Sequence, residues 1–151
     1  MKLTRFCQYL LVGSLLTFGQ CKRSEPAPAL DDTVDVLKSW KAAEVKEGTT
    51  VVYKADAQSN IYAGYAKYKL LFAADKVTYT EFTGEVFTGS WSVDTGTRKL
   101  TFHSLSPVPY GTDGLIEFEL LGWQPEQLII RRTTGNVKTG NTVNEYTLVP
   151  E

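Results

Sequence analysis

Between Ser39 and Val149 apolar and polar residues alternate with period two, in runs rich in Thr, Val, Tyr, Phe and Ile that are separated by turn residues. Eight runs carry the pattern: "SWKAAEVKE", "KYKLLFA", "KVTYTEF", "GSWSVD", "KLTFHS", "LIEFELLG", "QLIIRRT" and "NEYTLVP". Successive side chains of a strand point to opposite faces, so each run assigns one set of residues to a core. Trp40 and Ala42 fall on that face, then Tyr68, Leu70 and Phe72, Val77 and Tyr79, Trp91 and Val93, and Leu100 and Phe102. Ile116, Phe118 and Leu120, Leu128 and Ile130, and Tyr146 and Leu148 complete it, with Lys, Thr and Glu mostly opposite.

The connections between the runs differ in length. Counted in order, the even ones, "AADK", "TGTR" and "WQPE", are short. Three odd ones, "GTTVVYKADAQSNIYAGYA", "LSPVPYGTDG" and "TGNVKTGNTV", are long, and the third connection, around "TGEVFT", is the exception. In an up-and-down meander all odd connections lie at one end and all even ones at the other. The pattern therefore predicts an all-β fold, an eight-stranded up-and-down antiparallel β-barrel with one open mouth and one end closed by tight hairpins.

Upstream of the strands, "DDTVDVLKSW" predicts a short N-terminal helix capped by Asp32 or Thr33 and carrying Val34, Leu37 and Lys38. The preceding "KRSEPAPAL" has two prolines and no apolar period, which suits an extended tether of at most about 3 Å per residue. The opening "MKLTRFCQYLLVGSLLTFGQC" has a basic start and an apolar run from Phe6 to Gly19. That run is shorter than the roughly 20 residues a bilayer span needs and reads as a secretory signal. "LTFGQC", with Gln20 ahead of the cysteine, resembles the lipobox of bacterial lipoprotein signals, in which the thiol receives diacylglycerol before cleavage. The other readings of Cys21 are a disulfide or a free thiol. Cys7 lies within the signal and would leave with it, and an unpaired thiol is a liability in an oxidising compartment.

The expectation is thus a signal peptide over residues 1–20, an acylated Cys21 with a flexible tether over 21–31, and the barrel domain over 32–151. A chain processed in this way is a lipoprotein anchored to a membrane of the cell envelope. The outer membrane, with the domain facing the periplasm or the surface, is its expected place. The first strand of an even-numbered up-and-down barrel starts at the short-turn end, so the anchor would attach at the closed base.

Several short motifs resemble the lipocalin-like domains of small Bacteroidetes-type lipoproteins. A short helix leads into a tryptophan-bearing strand, here "LKSWKAAEV", and a later hairpin of the form F-x-x-D-G-T-Y is matched by "FAADKVTY". A G-x-W strand, here "GSWSVD", and then "KLTF" follow in order, and "QLIIRR" and "EYTLV" fit the last strands. The likeness covers residues 34 to 149 and implies the barrel rather than any particular ligand.

Charge and residue chemistry narrow the function classes. The chain carries 16 Lys and Arg against 17 Asp and Glu, and two of the basic residues, Lys2 and Arg5, lie in the first twenty, so the remainder has a formal charge of −3. A nucleic-acid binder needs a basic stripe, and the pair Arg131-Arg132 is too little to make one. His103 is the sole histidine and alternates to the outer face, which disfavours both a Ser-His-Asp triad and a structural zinc site. Glu117 and Glu119 share a face at about 7 Å, a spacing that general acid and base can use, but Ile116, Phe118 and Leu120 take the core and leave both glutamates in solvent. No cofactor is implied.

The remaining candidates are at the open end. Tyr62, Tyr65 and Tyr68 lie in or beside the first long connection and Tyr110 in the fifth. Aromatic rings with a hydroxyl at a barrel mouth suit sugars, lipids or a protein surface, and they equally suit a lid packed on the barrel. Arg132 shares a face with Leu128 and Ile130 if its strand stays regular, aiming a guanidinium inward where it could pair with a carboxylate or phosphate. If the strand twists or bulges, the side chain reaches water instead. The expected function is non-enzymatic binding of a small apolar or amphipathic ligand through Tyr62, Tyr65, Tyr110 and Arg132. The alternative is a filled barrel that presents its long loops to an envelope protein, as an interaction module or inhibitor.

Overall fold

A computed structural model of the chain describes residues 37–151. The expected N-terminal helix, Cys21 and the tether lie outside the described residues, except that Leu37 and Lys38 lead into the first strand. Nine strands form: β1 (Ser39–Glu47), β2 (Thr50–Lys54), β3 (Lys69–Phe72), β4 (Val77–Thr80), β5 (Val86–Asp94), β6 (Lys99–Ser106), β7 (Ile116–Gln124), β8 (Gln127–Arg132) and β9 (Asn144–Pro150). Every pairing is antiparallel, each strand from β3 to β9 pairs with the next, and β1 pairs with β9. The last pairing closes the sheet, so eight strands, β1 and β3 to β9, make an up-and-down barrel with no free edge between β1 and β9.

The ninth strand is β2, which lies inside the first long connection. β1 is longer than its neighbour: its first residues pair with β3, with Trp40 opposite Leu70, and its last residues pair with β2, with Val45 opposite Tyr53. The two-residue turn between β1 and β2 uses Gly48 at φ 60, a left-handed conformation that costs other residues about 1 kcal/mol. The chain then crosses back to β3 through a 3-10 turn at Ala63–Lys67.

Short turns join β3 to β4, β5 to β6 and β7 to β8, all at the end where β1 begins. The connections before β3, between β6 and β7 and between β8 and β9 are long and gather at the opposite end, as the connection lengths predict. The inner face also follows alternation for most of its length. Trp40, Ala42, Tyr68, Leu70, Phe72, Val77, Tyr79, Leu100, Phe102, Ile116, Phe118, Leu120, Leu128, Ile130, Tyr146 and Leu148 are all buried.

Trp91 and Val93 depart from it and are half-buried. The Trp91 ring packs edge-on against Phe72 with centroids 4.9 Å apart, and its indole N–H donates to the Ala73 carbonyl at 2.8 Å, so it covers the base of the barrel instead of filling it. Two bulges shift the phase of alternation. The register of β1 against β9 slips between Ala42 and Glu44, after which Val45 turns inward, and the register of β7 against β8 slips between Leu120 and Gly122, after which Trp123 is buried.

The middle of the barrel is filled by aromatic rings. Tyr68 stacks on Tyr146 with centroids 4.4 Å apart, Phe102 meets Phe118 at 5.1 Å, and Phe72 meets Phe102 at 5.9 Å. Such pairs contribute about 0.5–1.5 kcal/mol each beyond the area they bury.

Candidate binding site at the long-loop rim

The 3-10 turn at Ala63–Lys67 is laid across the mouth, and its glycine shows how closely. A Cβ on Gly64 would come within 2.9 Å of the Phe82 carbonyl oxygen, so the turn rests on the backbone of the β4–β5 connection as only glycine permits. This contact drives Tyr65 down into the barrel, where it is fully buried. Its ring lies 4.8 Å from that of Phe82 and 6.3 Å from those of Tyr53 and Tyr146. Its hydroxyl donates to the Glu47 carboxylate at 2.7 Å and accepts from the Asn144 amide at 3.2 Å. Tyr65 is therefore a plug, with Glu47 and Phe82 on its outer side and Asn144 and Tyr146 beneath it.

Above the plug is a cleft of about 310 Å3 lined by Glu47, Tyr62, Phe82, Lys138, Thr139 and Gly140. The end of β1 supplies Glu47, and three connections supply the rest. Tyr62 precedes the 3-10 turn and is half-exposed, Phe82 comes from the β4–β5 connection, and Lys138 to Gly140 come from a second 3-10 turn at Val137–Thr139. Asn136 caps that turn by accepting from the Lys138 amide at 3.0 Å, and Gly140 ends it in the left-handed region at φ 70. Lys138 extends its ammonium to the carboxylates of Glu81, which is buried, and Glu85, which is exposed. Burial alone would lower the Lys138 pKa, but hydrogen bonds to Glu81 and Glu85 and their charges outweigh it and leave the value raised. The cleft thus sets two aromatic rings beside a fixed cation and a carboxylate.

Under the plug the interior is polar. Arg132 does follow Leu128 and Ile130 inward and is 6% exposed. The Tyr68, Tyr79 and Tyr146 phenols are near enough for its charge to lower their pKa values, against burial that raises all three. Burial pushes Tyr146 up to about 12, with the Asn144 hydrogen bond and then Arg132 holding it back. Tyr68 and Tyr79 are raised well above the ordinary phenol value, and Tyr65 is raised by its burial first and then by the neighbouring Tyr146 and Glu47.

The four residues singled out from the sequence therefore do not meet at one point. Tyr62 borders the cleft, Tyr65 closes the mouth below it, and Arg132 lies deeper inside. Tyr110 is 70% exposed on the β6–β7 connection, whose Gly111 leaves room for Val137: a Cβ there would lie 2.5 Å from Val137 Cγ2. Phe82 ends the run "KVTYTEF" out of phase with Val77 and Tyr79, and Lys138 sits in no alternating run, so alternation marks neither. The available signal was the turn chemistry of "NVKTGN", where Asn136 and Gly140 bracket the lysine.

The outer wall offers less. Clefts of about 440 and 430 Å3 exceed the rim cleft in volume, but they are walled by short or charged chains such as Asp75, Lys76, Ser90 and Ser104 in one and Glu44, Lys54 and Asp56 in the other. His103 is on this wall with its Nε2 2.9 Å from Ser92 Oγ. Glu117 and Glu119 pair across strands with Lys99 at 3.0 Å and Arg131 at 2.7 Å. Ion pairs so exposed are worth about 0–1 kcal/mol.

Among solved structures the fold is similar to that of an uncharacterized protein from Bacteroides eggerthii, at 12% identity over 78% of this chain and 100% of that one, with a TM-score of 0.48. It is also similar to a lipocalin-like protein from Bacteroides uniformis, at 11% identity over 76% of this chain and 96% of that one, with a TM-score of 0.47. No family model and no curated protein matches the chain.

Proposed function

We propose that this chain is a lipid-anchored, non-enzymatic protein of the cell envelope whose barrel binds a small amphipathic ligand at its long-loop rim. The observation that supports this reading is the rim cleft itself. At about 310 Å3 it falls at the small end of the range of ligand sites, and it joins the Tyr62 and Phe82 rings to the charges of Lys138 and Glu47. Trp40, Phe72, Phe102 and Phe118 fill the body of the barrel, so the apolar part of a ligand lies in the cleft and not in the interior. Acylation of Cys21 would hold the protein by the end where β1 begins, and the cleft would then face away from the membrane.

Native mass spectrometry of the protein purified from its own cells tests the reading. The expected result is a small molecule retained by the native chain and lost from Tyr62→Ala, with an added acyl mass that is absent from Cys21→Ser. A chain that carries no small molecule at any stage overturns the ligand. Cys21→Ser that is still processed and still sediments with membranes overturns the anchor.

One observation favours the alternative, a module that docks on a protein. Ile61, Val108 and Tyr110 are at least 61% exposed, and with Tyr62, Leu115, Val137 and Val143 they place most of the exposed large apolar side chains of the described residues on the long connections. A bound protein in the same spectra, released by Tyr110→Ser and not by Tyr62→Ala, is the result that selects it.

A further inference from the structure

The barrel interior contains a charge that no described residue neutralises. Arg132 is the last residue of β8 and points inward at 6% exposure, yet among the described residues no carboxylate lies within 4.0 Å of it. Its Nε is buried with no hydrogen-bond acceptor among the described residues. A guanidinium does not escape this by losing its proton, because it stays charged at any pH a folded protein survives. Burying such a charge costs several kcal/mol unless something of opposite sign meets it. A second buried donor faces the same deficit: the Tyr68 hydroxyl also has no partner among the described residues, although its ring is fixed by stacking on Tyr146. The acids whose charges reach the neighbouring Tyr146 have other obligations, Glu81 to Lys138 and Glu47 to the Tyr65 hydroxyl.

From these two orphaned donors we infer that the mouth half of the barrel holds an oxyanion, a carboxylate or phosphate group, that accepts from Arg132 Nε and from the Tyr68 hydroxyl. Both donors suit that chemistry, since the planar guanidinium matches a carboxylate or phosphate and a phenol adds a directional bond. The surroundings set a limit on size. Tyr146, Phe118 and Ile130 pack about the site and Tyr65 closes it from above, so the group that enters is a small free anion or the head of a longer molecule whose remainder leaves past Tyr65 into the rim cleft. The second form rests on the rim reading proposed above, and the first does not.

The test follows the side-chain Nε–H resonance of Arg132 in the full chain, identified by its loss in Arg132→Lys, during titration at constant ionic strength. Sodium acetate and inorganic phosphate probe the free anion, and dodecanoate probes the head group. A saturable shift with any of them is expected, with affinity weakened about tenfold in Tyr68→Phe, as one lost hydrogen bond to a charged group implies. Saturation by acetate or phosphate alone identifies a free anion. Saturation by dodecanoate alone identifies a head group, and its loss in Tyr62→Ala ties it to the cleft. A dodecanoate response that survives Tyr62→Ala leaves the Arg132 site standing and removes the rim from it. No saturable shift with any probe, or equal affinity in Arg132→Lys and Tyr68→Phe by calorimetry, overturns the inference.

Discussion

At the base of the barrel the strand ends bring together Trp40, Phe72, Val77, Leu100, Leu120, Leu128 and Leu148, all apolar and at most 3% exposed. At the mouth, β3, β4, β8 and β9 bring together Tyr68, Tyr79, Arg132, Asn144 and Tyr146, all polar and at most 6% exposed, with Glu81 just beyond β4 and the apolar Phe87, Leu105 and Ile116 of β5, β6 and β7 beside them. Burial stabilises the first set without any condition on partners, at about 1.5–3 kcal/mol for each large side chain. Burial of the second set is favourable only where each hydroxyl, amide or charge meets a partner. Tyr65 and Asn144 do so by bonding to one another and to Glu47 and Tyr146, while Arg132 Nε and the Tyr68 hydroxyl do not. A fold that needed only stability could carry the base all the way to the rim. The polar mouth is thus where this chain departs from packing alone, and three measurements set the two halves against each other.

The largest expected effect is alkaline unfolding that starts from the mouth. The phenols of Tyr65, Tyr68, Tyr79 and Tyr146 are all raised above their ordinary value by burial, so the native state keeps protons that the unfolded chain releases above about pH 10. Their contribution is complete below that pH and is lost as pH climbs toward the raised values. Lys138 acts in the same direction above its ordinary value of about 10.5. Each phenol contributes up to about 1.4 kcal/mol per pH unit, so four together remove up to about 5 kcal/mol per unit, a large part of the 5–15 kcal/mol typical of a domain. Urea midpoints at several pH values between 9 and about 11.5 should fall with growing steepness, and phenolate absorbance should rise with the loss of structure. A midpoint that stays level to about pH 11.5 would show the mouth to be open to water.

Truncation in the filled body comes next. Phe102 is fully buried and touches the rings of Phe72, Tyr79 and Phe118, so Phe102→Ala leaves a void bordered by rings that cannot close on it. A loss of about 3–5 kcal/mol in urea denaturation is expected, with no change in the steepness of the alkaline transition. A loss below about 1 kcal/mol would mean the body is loosely packed and able to admit a ligand.

The two halves also differed in how far they could be read from sequence. Base and wall follow from alternation, which assigned Trp40, Leu70, Phe102 and Leu128 to the core because a strand repeats every two residues whatever its neighbours do. It failed where a bulge shifted the phase, so that Val45 and Trp123 turn inward unannounced, and in β2, where "TVVYK" buries two consecutive residues, Val52 and Tyr53. Trp91 was misplaced because its indole N–H finds the Ala73 carbonyl at the edge of the base. The mouth was less legible, since Tyr65 is buried by a turn, and alternation says nothing about turns. Lys138 and Glu81 meet across 57 positions, a separation that no local pattern spans.

Replacing Tyr65 by phenylalanine has the smallest expected effect. The ring and its contacts with Phe82 and Tyr146 remain, and only the hydroxyl that links Glu47 to Asn144 is removed. Glu47 is half-buried and can turn to water, whereas Asn144 is fully buried and keeps only the longer bond to Tyr146 for its amide. The cost at neutral pH is therefore that of one strained buried donor, about 1–3 kcal/mol. Above about pH 10 the sign of the difference should reverse in slope: the variant has three raised phenols instead of four, so its stability falls less steeply by up to about 1.4 kcal/mol per pH unit and the two curves converge. Parallel curves would mean that the Tyr65 phenol ionises alike in the folded and unfolded chains, and the plug would then have to be a surface lid rather than part of the core.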